Sequence, residues 1–180
     1  MIRILILRVS SSHCTGLEVI YSKPNMGDLS EPLVLNREQC LKYKERLTRF
    51  YYSNIKSCSF MDSFTYKDAE QKIDGLMEHV SNGSAIVYGV FDSEDLIGYV
   101  WAYEHPFREE VRVYVNEIHV DEAYRNRGIG KQLLLAIESL AKERGYGALY
   151  IHAEGNNNGA IRLYQNEGYE IERIQLRKEL

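Results

Sequence analysis

The sequence predicts one α/β domain over its 180 residues, with a mixed, mainly antiparallel sheet and about four flanking helices. Three observations lead there. Helical periodicity dominates residues 37–80, two strand-like runs joined by a polar turn follow at 85–103, and strands then alternate with helices to residue 176. The length suits a single domain. A hydrophobic content of 44% can build a core, and 27% charged residues suit a wetted surface.

Residues 2–9 alternate Ile4, Ile6 and Arg8 against Leu5, Leu7 and Val9, which predicts a strand. Arg8 and the missing small-residue cleavage site argue against a signal peptide. Leu17–Tyr21 is the candidate hairpin partner. Pro24, Gly27 and Pro32 mark a loop, and Leu33–Leu35 fits a short strand or a helix lead-in. Asn36 and Gln39 form a capping-box pattern for a helix from Arg37, with Leu41, Tyr43, Leu47, Phe50 and Tyr51 as its apolar stripe. Lys56–Phe64 breaks that pattern. A second helix is expected over Lys67–Val80, capped by Thr65 and ended near Asn82–Gly83, with Ile73, Leu76, Met77 and Val80 inward.

Ala85–Phe91 and Leu96–Tyr103 read as a hairpin across Asp92–Asp95. Residues 104–110 are expected to be loop, and Val111–Val120 a long strand. Gly128–Arg144 carries Ile129, Leu133, Leu134, Ile137 and Leu140 at helical spacing. A strand at Gly147–Ala153, a helix at Asn158–Glu167 stopped by Gly168, and a closing strand at Tyr169–Leu176 complete the chain. The charged run Glu170–Lys178 would be that last strand's outer face.

Composition excludes several classes. A net charge of −4 lacks the basic footprint of a nucleic-acid binder. Cys14, Cys40 and Cys58 are odd in number and widely spaced, so neither a disulfide framework nor a zinc site is expected. His105 and His152 have no ligand spacing, so no metal is implied. No apolar run approaches the ~20 residues of a membrane span. A reduced, cytoplasmic protein is the expectation. A homodimer through the N-terminal region or the last strand is compatible with the sequence and not required by it.

The strongest chemical signal is Arg125-Asn126-Arg127-Gly128-Ile129-Gly130, between a strand and a helix. Such a turn aims free backbone N–H groups at one point, and the helix dipole adds positive potential. Together they suit a phosphate or pyrophosphate. Gly128 and Gly130 allow close backbone approach, while Arg125, Arg127 and Lys131 add charge. Neither a P-loop nor a dinucleotide-binding glycine pattern is present.

With this turn the chain resembles the GNAT superfamily of N-acetyltransferases, whose signature Q/R-x-x-G-x-G/A is matched by Arg125, Gly128 and Gly130. Asn116–Tyr124 is similar to that family's fourth strand and its exit. Residues 157–169 (NNGAIRLYQNEGY) are similar to its N-x-x-A-x-x-L-Y-x-x-x-G-F/Y pattern. The resemblance covers roughly residues 85–176, the expected cofactor-binding core, and residues 1–60 are divergent. It implies the acyl-CoA N-acyltransferase fold, with acetyl-CoA as co-substrate between two splayed parallel strands. Backbone near Ile118, His119 and Val120 would meet the pantetheine arm. Residues Arg125, Asn126, Arg127, Gly128, Ile129, Gly130 and Lys131 would hold the pyrophosphate, and Asn157 would touch the pantetheine or cap the last helix.

The implied reaction is direct attack of a primary amine on the thioester. Its motif position makes Tyr164 the candidate general acid for the thiolate. Glu117 is the candidate general base, because a carboxylate within an apolar strand is unfavourable unless its face opens to a cleft. Strand period puts Glu117 and His119 on one face and Asn116, Ile118 and Val120 on the other. A bulge would alter that assignment. His119 is the rival base. Trp101, Tyr103 and Tyr114 lie on neighbouring strands as core or as acceptor-pocket wall. The alternatives left open are a non-catalytic acyl-CoA-binding module and a transferase of larger acyl groups. The acceptor, a small-molecule or peptide amine, would depend on residues 36–66 and 104–110.

Overall fold

Asn36 and Thr65 start the first helical layer as the expected caps, Asn36 closing the expected box with Gln39 and Thr65 closing a further one with Asp68. In the computed structural model, residues 29–57, 63–108, 110–176 and 178 are described. The expected strand at 2–9, its partner at 17–21, Cys14 and Cys58 lie outside them. The layer consists of α1 (Arg37–Lys42), α2 (Lys44–Lys56) and α3 (Tyr66–Ser81). The sequence suggested one helix where α1 and α2 stand. They break at Tyr43, whose hydroxyl donates to the Glu94 carbonyl and whose ring tilts against Phe91. The break changes the phase of the apolar stripe, so Cys40 is buried and Leu41 is exposed.

The sheet follows as β1 (Leu33–Val34), β2 (Ala85–Asp92), β3 (Asp95–Phe107), β4 (Glu110–Val120) and β5 (Leu149–Ile151), in that spatial order. All neighbours are antiparallel except β4 and β5, which are parallel. Two more helices complete it: α4 (Ile129–Glu143), the crossover between the parallel pair, and α5 (Asn158–Asn166). The described residues therefore carry five α-helices, α1 and α2 standing where one was expected.

Two further expectations are corrected. Residues 104–107 continue β3 instead of forming loop, because Tyr103–Phe107 pair with Tyr114–Glu110. Residues 169–176 form no strand. Ile171, Ile174 and Leu176 are exposed there, so this run has no apolar face against the sheet.

Each sheet face has its own core. α1–α3 cover Val87, Tyr99 and Trp101, and α4 covers Val100, Ala102, Val113 and Val115. Among the described residues no helix is long and apolar enough to cross a membrane. Leu133 is fully buried on α4. Leu133→Ala should destabilise the domain by about 2–5 kcal/mol, read from the urea midpoint at unchanged m-value.

Candidate functional site

The site is built around one irregularity in β4. Trp101 pairs with Glu117 and Ala102 with Val115, which leaves Asn116 as an extra residue on β4. Strict alternation would put Val113, Val115, Glu117 and His119 on one face. The bulge instead sends Val113 and Val115 to the α4 core and turns Glu117 and His119 to the α2 face. Ile118 and Val120 pack on the α4 side.

The parallel ladder also ends at the bulge. Val113, Tyr114 and Val115 pair with Leu149, Tyr150 and Ile151, and no pairing to β5 follows. Asp121 N–H donates to Ile97 O at 2.8 Å, which fixes the hydrogen-bond phase of β3 and β4. In that phase the backbone groups of Glu117 and His119 face β3, while those of Ile118 and Val120 face the split. The carbonyls of Ile118 and Val120 accept from Asn54 Nδ2 (3.3 Å) and Arg125 Nε (3.1 Å) respectively.

Glu117 is 7% exposed. Its Oε2 accepts from the Tyr99 hydroxyl at 2.6 Å and its Oε1 from Asn54 Nδ2 at 2.7 Å. Burial raises its pKa to about 7, and the two donors hold back a larger rise. His119 is 6% exposed and stacks on Phe50 at 4.5 Å. Burial, with help from Arg125, lowers its pKa to about 4. Because Asn54 Nδ2 donates to Glu117, Asn54 Oδ1 is left to accept from His119 Nδ1 at 2.8 Å. That assigns the proton of the neutral ring to Nδ1. Near neutral pH, Glu117 is thus the group able to gain or lose a proton.

Sequence reasoning missed Asn54 and Tyr99. Asn54 lies four residues after Phe50 and eight after Arg46, on one face of α2. Arg46 bonds Asp121 at the exit of β4, so this face ties α2 to β4 at both ends. The signal was a polar residue in register with the apolar stripe.

α4 begins at Gly128, with φ +80° and no side-chain cap. Nothing lies within 4 Å of a Cβ added there. Asn126 is also left-handed, at φ +61°. At Gly130 a Cβ would sit 3.1 Å from Leu163 Cδ2, so this glycine admits α5 against α4. Lys131 pairs with Glu167, also on the α5 side. Asn157 caps α5 through Ala160 N–H. Tyr164 is 8% exposed, and burial pushes its hydroxyl up to about 12.

One open crevice is bordered by Glu117, Ile118, His119, Val120, Arg125, Asn126, Gly128, Ile129, Gly130, Lys131, Asn157 and Tyr164. Arg127 is the exception among the expected residues. It bonds the Ala123 carbonyl and lies over the Tyr124 ring. Among the described residues no group of His, Cys, Asp or Glu is arranged to hold a metal.

A mixed sheet that parts between two parallel strands, beside an uncapped helix start, has the architecture of the acyl-CoA N-acyltransferase fold. The family model described as the acetyltransferase (GNAT) family matches residues 46–169, and the chain belongs to that family. Its relatives include an uncharacterized N-acetyltransferase, YdgE of Bacillus subtilis, 25% identical over 73% of this chain and 85% of that protein. Another is the chloroplastic GCN5-related N-acetyltransferase 4 of Arabidopsis thaliana, 30% identical over 89% of this chain and 56% of that protein. Among solved structures, a GCN5-related N-acetyltransferase from Ralstonia eutropha superposes with a TM-score of 0.69, 18% identity, and coverage of 84% and 98%. An aminoglycoside acetyltransferase from an uncultured soil metagenomic sample gives a TM-score of 0.67, 18% identity, and coverage of 86% and 98%.

The raised Glu117 pKa has a consequence for stability. The folded state binds this proton more tightly than the unfolded chain, so the contribution is full below about pH 4.5 and is lost as pH rises through 7. His119 has the opposite sign: its contribution is present above pH 6.5 and lost as pH falls through 4. Glu117→Gln isolates the first effect. Its stability relative to the parent should improve between pH 4.5 and 7 by on the order of 3 kcal/mol, measured by urea unfolding at each pH. A pH-independent difference would contradict the assignment.

Proposed function

We propose that the chain transfers an acetyl group from acetyl-CoA to a primary amine by direct attack in a ternary complex. The observation that carries this reading is Glu117, a carboxyl buried where β4 and β5 part and held by the Tyr99 hydroxyl and the Asn54 amide; burial raises its pKa to about 7. General bases work best when their pKa lies near the working pH.

The residues present suit the co-substrate. The uncapped first turn of α4, with Gly128 left-handed and unobstructed, offers backbone N–H groups to a pyrophosphate. Arg125, Asn126, Gly128, Ile129, Gly130 and Lys131 would hold it, with Arg127 contributing through its backbone. Ile118 and Val120 would meet the pantetheine amides, and Asn157 would act by fixing the start of α5. Bound there, acetyl-CoA supplies a thioester whose acyl carbon accepts the amine.

In this mechanism a C–N bond forms and the C–S bond breaks. Glu117 takes the proton that becomes acidic as the amine nitrogen bonds to carbon, directly or through a water. His119, neutral in the working range, keeps Asn54 oriented towards that carboxylate. The Tyr164 hydroxyl stays protonated and donates to the departing sulfur. With a pKa of about 12 it is a weaker acid than an ordinary thiol of about 8.5, so it acts as a hydrogen-bond donor. The sulfur leaves as the thiolate under that hydrogen bond, and the proton it later takes up comes from water.

Amine-dependent release of CoA thiol tests the reading; binding of acetyl-CoA with no release by any primary amine would sink it. The rising limb of kcat/KM against pH should include an inflection near 7, which Glu117→Gln removes along with most of the activity. Tyr164→Phe should lower kcat by about 10²–10³ with little change in the KM for acetyl-CoA. An unchanged kcat at saturating substrates would remove Tyr164 from the mechanism.

A further inference from the structure

The α2 face of the sheet continues past Glu117 as a run of rings that begins under the helices at Trp101 and emerges from them towards His105 and His152. Along β3, Trp101 contacts Tyr103 at 5.7 Å between ring centroids, and Tyr103 contacts His105 at 6.1 Å. Across the strands, Tyr103 stacks on Tyr114 at 6.1 Å. Tyr114 in turn meets Tyr150 at 5.3 Å and stacks on His152 at 5.9 Å. Trp101 is buried beneath the helical layer. Tyr103, Tyr114 and Tyr150 are half-buried, and His105 and His152 are exposed. Trp101 is the cross-strand partner of Glu117, and Tyr103 that of Tyr114, so the rings and the carboxyl share one face. Tyr114 and Glu117 are three residues apart, at most about 10 Å along an extended strand. Tyr114, Tyr150 and His152 border the same open crevice as Glu117.

We propose that this aromatic face is the acceptor subsite, and that its ligand is a monoamine carrying a flat aromatic ring. The inference rests on the acetyl-transfer reading and names the substrate class for it. Charge complementarity sets the orientation. A carboxylate and the electron-rich faces of aromatic rings attract an ammonium group at the Glu117 end. The far end of the face is already served by a cation: Arg112 lies over Tyr150 at 4.2 Å, held by Glu110 and Glu172. Lys72, over Trp101 at 5.5 Å, stands at the Glu117 end instead. A second ammonium on the substrate would have to compete with Arg112 for the Tyr150 ring, which disfavours polyamines and polycationic aminosugars. An uncharged ring would instead stack on Tyr114 and Tyr103. Ring-on-ring geometry adds to simple area burial, so a planar tail gains over a saturated one of equal size.

The test compares 2-phenylethylamine, 2-cyclohexylethylamine and spermidine as acceptors, with thiol release as the readout. Burial alone would favour the cyclohexyl amine. The subsite predicts that kcat/KM for the phenyl amine exceeds that for the cyclohexyl amine by roughly three- to tenfold, with spermidine last. Tyr114→Leu, or His152→Ala at the exposed end, should close that gap by raising KM for the phenyl amine alone. Equal values, or a preference for spermidine, with acetyl transfer proceeding, would overturn the subsite and leave the acetyltransferase reading intact. Failure of every amine would instead sink the acetyl-transfer reading. The subsite is then decided by NMR titration with 2-phenylethylamine: shifts of the Tyr114 and His152 ring protons uphold it, and none at millimolar ligand overturns it.

Discussion

The extra residue at Asn116 sets the phase of β4, and the site follows from that phase. Before the bulge, Val113 and Val115 belong to the core under α4; after it, the odd-numbered Glu117 and His119 face α2. The same point ends pairing with β5. A single register change therefore turns a carboxyl into a half-sealed chamber and opens the backbone of Ile118 and Val120 beside it. A regular strand would direct Glu117 towards the α4 core, where a carboxyl would lack these partners.

The chamber balances two opposing effects on Glu117. Removal from water raises its pKa, while the Tyr99 hydroxyl and the Asn54 amide stabilise the anion. The result lies near neutrality because neither wins outright. Asn54 has a second task, since its oxygen fixes the ring proton of His119 on Nδ1. Arg46, Phe50 and Asn54 share one face of α2, so a single helix face meets Asp121, His119 and Glu117.

Much of the fold was legible where local chemistry decides it. The Asn36 and Thr65 caps, the 85–91 hairpin strand, α4 with Gly128 before it, and α5 stopped by Gly168 all follow from short-range rules; of the two roles the family resemblance left open for Asn157, the structure shows the cap. The pairing of Glu117 with His119 on one face was legible from strand period. Tertiary effects were not. The helix break at Tyr43 depends on a bond to Glu94, 51 residues away. The continuation of β3 through residue 107 depends on pairing with β4, and residues 169–176 have strand-like composition but no partner. Asn54 and Tyr99 were missed because an amide on a helix and a tyrosine in a strand carry no motif. Nor can sequence show that the Arg127 side chain turns back to the Ala123 carbonyl.

The account depends most on the turn before α4 being an anion cradle for acetyl-CoA. Calorimetric titration of acetyl-CoA into the parent chain and into Gly128→Glu addresses this directly. The substituted side chain meets no neighbouring atom at its Cβ, so a change in binding would report on the left-handed backbone and the added negative charge rather than on a steric clash. Saturable binding in the micromolar range, lost in Gly128→Glu while the thermal transition persists, is the predicted result. Absence of binding to the parent chain, or equal binding by both proteins, would contradict the account.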